Sequence, residues 1–252
     1  MPKTFDLTGR KALVTGGSRG IGAAVVEILC AHGAQVAFCH VDDEANAMAL
    51  IERLSTVGAS VHGRACDVAD EDQVAALAQW AEATLGQVDI LVNCAGIGGH
   101  CAFGELTIAA WDRMIGVHLR GTFLVTHHFF DKMVARRWGR IVNFSSQLAY
   151  KGGGGMAHYC AAKAGILGFT RALSYEGAPH NVLVNGIAPG PIETDMLKGL
   201  SDEWRAAKMG ELPIKRFGEP DEMAPTVLML ASEAGSYYVG QTLSPNGGDV
   251  MV

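Results

Sequence analysis

The chain has 252 residues, 49% of them hydrophobic, a net charge of −6, a pI near 5.8 and a mean hydropathy of +0.18. That length suffices for a full core in one domain, and an acidic chain without clustered Lys and Arg excludes an extended nucleic-acid surface. No apolar run reaches membrane-spanning length and Met1-Pro2-Lys3-Thr4-Phe5-Asp6 lacks a signal-peptide core, so a cytoplasmic protein is expected.

The first predicted element is a short apolar strand, Lys11-Ala12-Leu13-Val14-Thr15, which runs into Gly16-Gly17-Ser18-Arg19-Gly20-Ile21-Gly22. From Ala23 to Leu29 apolar residues recur at helical spacing, so the glycines lie between a strand and a helix. Glycine suits that turn because the backbone there must approach a pyrophosphate closely and leave the helix N-terminal N–H groups open to it. A second strand, Ala34 to His40, is followed by Val41-Asp42-Asp43, with Asp43 expected to cap a helix starting near Glu44. Further apolar strands near Val61, Ile90, Ile141 and Val184 alternate with helical stretches, the pattern of right-handed βαβ units. The fold class expected is α/β: a single Rossmann domain over residues 1–252, a doubly wound parallel sheet of about seven strands with helices on both faces.

Arg136-Arg137-Trp138, the one basic-aromatic cluster, reads as a solvated helix end. The next strand, Arg140 to Phe144, ends at Ser145-Ser146, where open α/β sheets place their ligands. Ser146 is the candidate donor to a substrate oxygen, while Ser145 fits a bond to nearby backbone. Tyr159 and Lys163, four apart in a run of helix formers, share one helical face. An ammonium beside the phenol draws its pKa toward neutrality, so Tyr159 is a candidate general acid/base. The segment 191–217 carries Met196, Leu197, Leu200, Trp204 and Met209 at roughly helical spacing and reads as an amphipathic lid. Six scattered cysteines without a Cys-x-x-Cys suit a reducing compartment, and His127-His128 and His100-Cys101 lack partners at ligand spacing, so no metal is assigned.

The Thr15 to Gly22 turn, Cys66-Asp67-Val68, Asn93-Cys94-Ala95-Gly96, the Ser146 to Tyr159 separation, Tyr159-x-x-x-Lys163 and Pro189-Gly190-Pro191-Ile192-Glu193-Thr194 together resemble the ordered motif set of the short-chain dehydrogenase/reductase family, nearly end to end. The resemblance implies that Gly16, Ser18, Arg19, Gly20, Ile21 and Gly22 hold the cofactor's pyrophosphate side. Asp67 and Val68 would meet its adenine, and Ala95, Gly96, Pro189 and Gly190 would line its cleft. It further implies that Asn93 braces the sheet beside the cofactor, that Ile192 and Thr194 fix the carboxamide, and that Lys163 binds the nicotinamide ribose and lowers the pKa of Tyr159. One position departs: Val117-His118-Leu119 stands where the family has an asparagine whose main-chain carbonyl holds a water behind the lysine. That carbonyl survives the change, and the imidazole of His118 either crowds the relay or joins it.

At the cofactor's 2′ position, the second strand ends in His40 where an NAD-type acid is expected, and Arg19 offers a phosphate partner. NADP(H) is therefore favoured, with NAD(H) possible and Asp42 the residue that would turn to a free ribose. The expected activity is hydride transfer between nicotinamide and a carbonyl or secondary alcohol, as an NADPH-dependent ketone or 3-oxoacyl reductase. The alternatives are an NAD-dependent sugar or polyol dehydrogenase and a dinucleotide-binding protein without turnover. The substrate is a small molecule. A homotetramer is expected, with a dimer as the fallback, through Phe123, Phe129, Phe130 and Met133 of the central helix and Ala161, Ala164 and Gly168 after Tyr159.

Overall fold

The structure is a computed structural model that describes residues 4–251 apart from the side chain of Met196, so Met1 to Lys3, Val252 and the Met196 side chain lie outside the described residues. Strands β1 (Lys11–Thr15), β2 (Gln35–His40), β3 (Val61–Ala65), β4 (Ile90–Asn93), β5 (Gly139–Phe144), β6 (Val182–Ile187) and β7 (Thr242–Leu243) form one parallel sheet in the order β3-β2-β1-β4-β5-β6-β7. The five further strand positions read from apolar runs fall inside β2 to β6. The two-residue β7 carries no run long enough to be seen in sequence.

Both faces of β1, β2, β4, β5 and β6 are largely buried, which is why these strands read as continuous apolar runs rather than alternating ones, while the edge strand β3 is partly open. Ala12 and Val14 of β1 pack with α1 (Gly20–Ala31), α2 (Glu44–Thr56) and α10 (Pro220–Ala231). Leu13, pointing the other way, packs with α3 (Glu71–Leu85) and α5 (Gly121–Arg136). Helix α7 (Ala157–Gly177) lies along β6, and α4 (Ile108–Ile115) runs into α5 through a wide π-type turn at Gly116–Arg120. The chain moves outward one way from β1 and the other way from β4, so the crevice at the carboxyl ends of these adjacent strands is the topological switch point.

Three expectations change. Phe129 and Met133 do not present a face to another subunit: they are buried against the sheet, and of the four central-helix residues only Phe123 is exposed. A helix lying on one face of the sheet spends its largest apolar residues inward. The segment 191–217 is not one amphipathic helix. It breaks at Gly199–Ser201 into α8 (Asp195–Lys198) and α9 (Asp202–Glu211), with Ser201 accepting from Trp204 N at 3.3 Å. The stripe is thereby split: Leu197 is buried with Leu212 and Phe217, while Leu200 and Trp204 are 39% and 43% exposed. Asp43 occupies the N-cap position of α2 but its carboxylate caps no backbone N–H, being engaged elsewhere as described below. The basic cluster does end a helix, Arg136 in the last turn of α5 and Arg137 in the left-handed position after it.

Candidate active site

The glycine turn crosses the switch point. Thr15 Oγ1 accepts from Cys94 N and Ala95 N at 3.1 Å each, clamping the end of β1 to the segment after β4. Gly16 has φ +68°, and a Cβ there would stand 2.8 Å from Ala95 Cα, so a side chain is excluded by both conformation and contact. No side chain caps α1 at Arg19, leaving its first N–H groups directed at the crevice. These features fit a dinucleotide pyrophosphate: close backbone, open amides, no competing side chain.

Beside the turn, the Asp43 carboxylate accepts from Ser18 Oγ at 2.5 Å and Asn46 Nδ2 at 2.7 Å and lies 3.8 Å from Arg19 Nε. These charged and hydroxyl partners outcompete the helix N–H groups for it, which is why the expected cap is not made. Ser18, Arg19, Asn46 and Arg53 border one groove. His40 is buried, with Nε2 3.4 Å from Glu44 Oε2.

Asp67 and Val68 also lie at the crevice, the Asp67 carboxylate paired with Arg113 Nη1 at 2.7 Å and Val68 packed on Gly121. Asn93 is buried and donates to Thr126 Oγ1 at 3.0 Å and Asn143 Oδ1 at 2.8 Å. Asn143 in turn donates to Thr170 Oγ1 at 3.0 Å, so a polar chain runs from α5 through β4 and β5 to α7. Pro189 accepts from Gln147 N at 3.1 Å, Gly190 donates to Pro245 O at 3.1 Å, and the Thr194 methyl faces Gly20, which brings this segment to the opposite wall of the crevice. Ile192 is buried behind it.

The structure brings Ser146, Tyr159 and Lys163 together at the end of β5. Burial raises the pKa of the Tyr159 hydroxyl, and the neighbouring Ser146 hydroxyl pulls the other way. The expected lowering by Lys163 is not what this arrangement gives. Lys163 Nζ lies 5.7 Å from the Tyr159 ring centroid and donates to Phe144 O at 2.7 Å, so its charge is not on the phenol oxygen. Burial pushes the Lys163 ammonium down to about 8. Ser145 Oγ donates to Lys163 O at 2.8 Å, the backbone bond expected of it, though to α7 rather than to its own neighbours.

His118 sits in the π-type turn, a distortion frequent at functional sites. Its ring is buried, meets the Tyr159 ring edge-on at 5.3 Å between centroids, and contacts Ile97. Its main-chain carbonyl, the atom the resemblance assigns to the relay water, accepts from Thr122 Oγ1 at 2.7 Å. Residues that sequence reasoning passed over include Gln147 and Asp249. Asp249 is buried and gathers Gln147 Nε2 at 2.5 Å and Lys151 and Lys208 at 2.8 Å each, tying the end of the chain to both sides of the substrate mouth. Nothing local signals a contact spanning 102 residues.

A family model described as enoyl-(acyl carrier protein) reductase matches residues 16–249. The chain is 40% identical over 245 residues to 3-oxoacyl-[acyl-carrier-protein] reductase FabG of Aquifex aeolicus, covering 97% of this chain and 98% of that one. The chain belongs to the short-chain dehydrogenase/reductase family. Two solved structures in the same fold are a putative gluconate dehydrogenase from Agrobacterium tumefaciens (TM-score 0.92, 35% identity, 99% of each chain) and a blue fluorescent protein from a metagenomic library in complex with NADPH (TM-score 0.91, 35% identity, 98% of this chain and 100% of that one). As a short-chain dehydrogenase/reductase the protein is an NAD(P)-dependent oxidoreductase that moves a hydride between nicotinamide and a carbonyl or secondary alcohol. No helix among the described residues is long and apolar enough to cross a membrane.

Proposed function

We propose that the protein is an NADPH-dependent reductase of 3-oxoacyl thioesters or related ketones, with Tyr159 as general acid/base. The observation that carries the reading is the convergence of Ser146 and the Tyr159 hydroxyl at the carboxyl end of β5, one helical turn from a buried lysine. Bound nicotinamide supplies the hydride to the carbonyl carbon. Ser146 Oγ donates a hydrogen bond to the substrate oxygen, and Tyr159 gives that oxygen its proton. Lys163, released from Phe144 O, binds the nicotinamide ribose and supplies the positive charge that stabilises the phenolate left behind. In the oxidative direction Tyr159 takes the alcohol proton. Two hydroxyls converging on one oxygen suit reduction of C=O better than of C=C, and the FabG relative named for 3-oxoacyl reduction supports the same substrate class.

Preference for NADPH rests on the Ser18, Arg19, Asn46 and Arg53 groove and on the neighbour solved with NADPH. Asp43 already spends its charge on Ser18, Asn46 and Arg19, so a 2′-phosphate would have to exchange with it. The resemblance to a putative gluconate dehydrogenase supports a second reading, oxidation of a polyol or sugar acid with NAD. Segment 191–217 acts in either case as the substrate lid of a single catalytic domain. The exposed small residues Ala161, Ala164 and Gly168 on α7, with exposed Phe123 on α5, support a homotetramer, which light scattering reads directly.

The experiment is a substrate panel of 3-oxoacyl thioesters, simple ketones, enoyl thioesters and sugar acids, each with both nucleotides. The highest kcat/KM is expected for a 3-oxoacyl thioester with NADPH. A highest value for an enoyl thioester, or for gluconate with NAD, would replace this reading.

A further inference from the structure

His118 Nε2 lies 2.8 Å from Ile97 O and 3.2 Å from Ile97 N. One imidazole nitrogen is a donor or an acceptor at a given moment, never both, so the ring answers only one of the two main-chain groups. A carboxamide in its place would answer both, the oxygen accepting from the amide and the NH₂ donating to the carbonyl. The shorter contact is the one to the carbonyl, which puts the hydrogen on Nε2. Nδ1 then carries the lone pair, and it is buried with no hydrogen-bond partner among the described residues.

The ring's surroundings hold it in that state. Burial, the charge of Lys163 and the proximity of His158 all oppose protonation, against one favourable contact to Ile97. Lys163, His158 and Tyr159 approach it from α7, Ile97 and Gly96 from the segment after β4, and Thr122 from its own helix. A Cβ on Gly96 would stand 2.6 Å from His118 Cε1, so ring and loop are in direct register.

We propose that His118 is a positioning residue for Tyr159 that works as a neutral, Nε2-protonated imidazole, and that its single hydrogen bond to Ile97 leaves the middle of the loop after β4, between the anchors at Ala95 and Cys101, half-latched at the crevice. The inference rests on Tyr159 being the general acid/base. The edge-on contact fixes the Tyr159 ring on one side, while the other side of the same imidazole secures the loop that rims the nucleotide. A loop short of one hydrogen bond opens more readily, so nucleotide exchange is faster than with both bonds in place.

The test begins with the wild-type protein. Long-range ¹H–¹⁵N correlation of the histidine rings is expected to show His118 with Nε2 protonated and Nδ1 bare from mildly acidic to mildly alkaline pH. The Ile97 amide should exchange with solvent faster than the Val92 amide of β4. In His118→Asn the second hydrogen bond forms, so Ile97 exchange and nucleotide dissociation both slow, by roughly three- to tenfold, while kcat falls because the edge contact to Tyr159 is lost. His118→Phe keeps an edge contact and loses the bond to Ile97, so nucleotide leaves faster than from wild type while kcat falls less than in His118→Asn. An imidazolium, a proton on Nδ1, or Ile97 protection equal in wild type and His118→Asn would overturn the proposal. The ring and exchange measurements need no substrate, so they remain distinct from a wild type that turns over no carbonyl, the result that would defeat the reductase reading.

Discussion

Lys163 and Ser145 grip each other's segment: the Lys163 ammonium donates to Phe144 O at 2.7 Å, and Ser145 Oγ donates to Lys163 O at 2.8 Å. The reciprocal pair fastens the end of β5 to α7 and so fixes where Tyr159 stands relative to Ser146. It also buries a cation, whose ammonium is pushed down to about 8 by desolvation.

Two pH effects of opposite consequence follow from that depression. Carbonyl reduction, which needs the ammonium, should decline as pH rises through about 8. Stability runs the other way, because between about 8 and the ordinary lysine value the unfolded chain holds a proton that the folded one has released, so stability rises with pH across that window. Lys163→Met should lose activity by ~10²–10⁴ and show no such rise in melting temperature with pH. A melting profile that keeps the rise in the variant would place its origin elsewhere.

Ser146→Ala removes the donor to the substrate oxygen and should cost ~10²-fold in kcat with nucleotide affinity unchanged. Fluorescence titration of NADPH alongside turnover separates these. An equal loss in binding would give Ser146 a structural task instead.

The Asn93–Asn143 bond joins neighbouring strands β4 and β5 through buried side chains. Asn143→Leu strands the Asn93 and Thr170 groups and should destabilise the fold by about 2 kcal/mol, read as the midpoint shift in urea. Asn93→Ala should cost a similar amount, since Asn93 anchors both Asn143 and Thr126.

Asp43→Asn weakens the hold on Ser18 and Arg19 and removes a carboxylate facing the proposed 2′-phosphate. The NADPH to NADH ratio of kcat/KM should rise, by about tenfold for one such charge. Arg19→Met should lower it. A ratio indifferent to both would move the discriminating contact away from this groove.

Much of this was legible in the chain itself, for physical reasons that differ by element. β1, β2, β4, β5, β6 and the glycine turn announce themselves because a doubly buried strand must be largely apolar and a pyrophosphate turn must be bare. Tyr159 and Lys163 are legible because one helical turn separates them. Asp43 was misjudged because the partners that claim it, Ser18 and Arg19, come from a different loop. The Asp249 hub and the Ile97 contact of His118 join segments far apart in sequence, and only the folded chain brings them together. The split of the 191–217 stripe hinges on a local break at Gly199 that periodicity averages over.

The most direct measurement of the central claim is turnover of a 3-oxoacyl thioester by NADPH in wild type and in Tyr159→Phe, with nucleotide binding measured on both. The account predicts turnover in wild type and a fall of ~10²–10⁴ in the variant with NADPH binding intact. Turnover that persists in Tyr159→Phe would contradict it, since the proton would then come from another group.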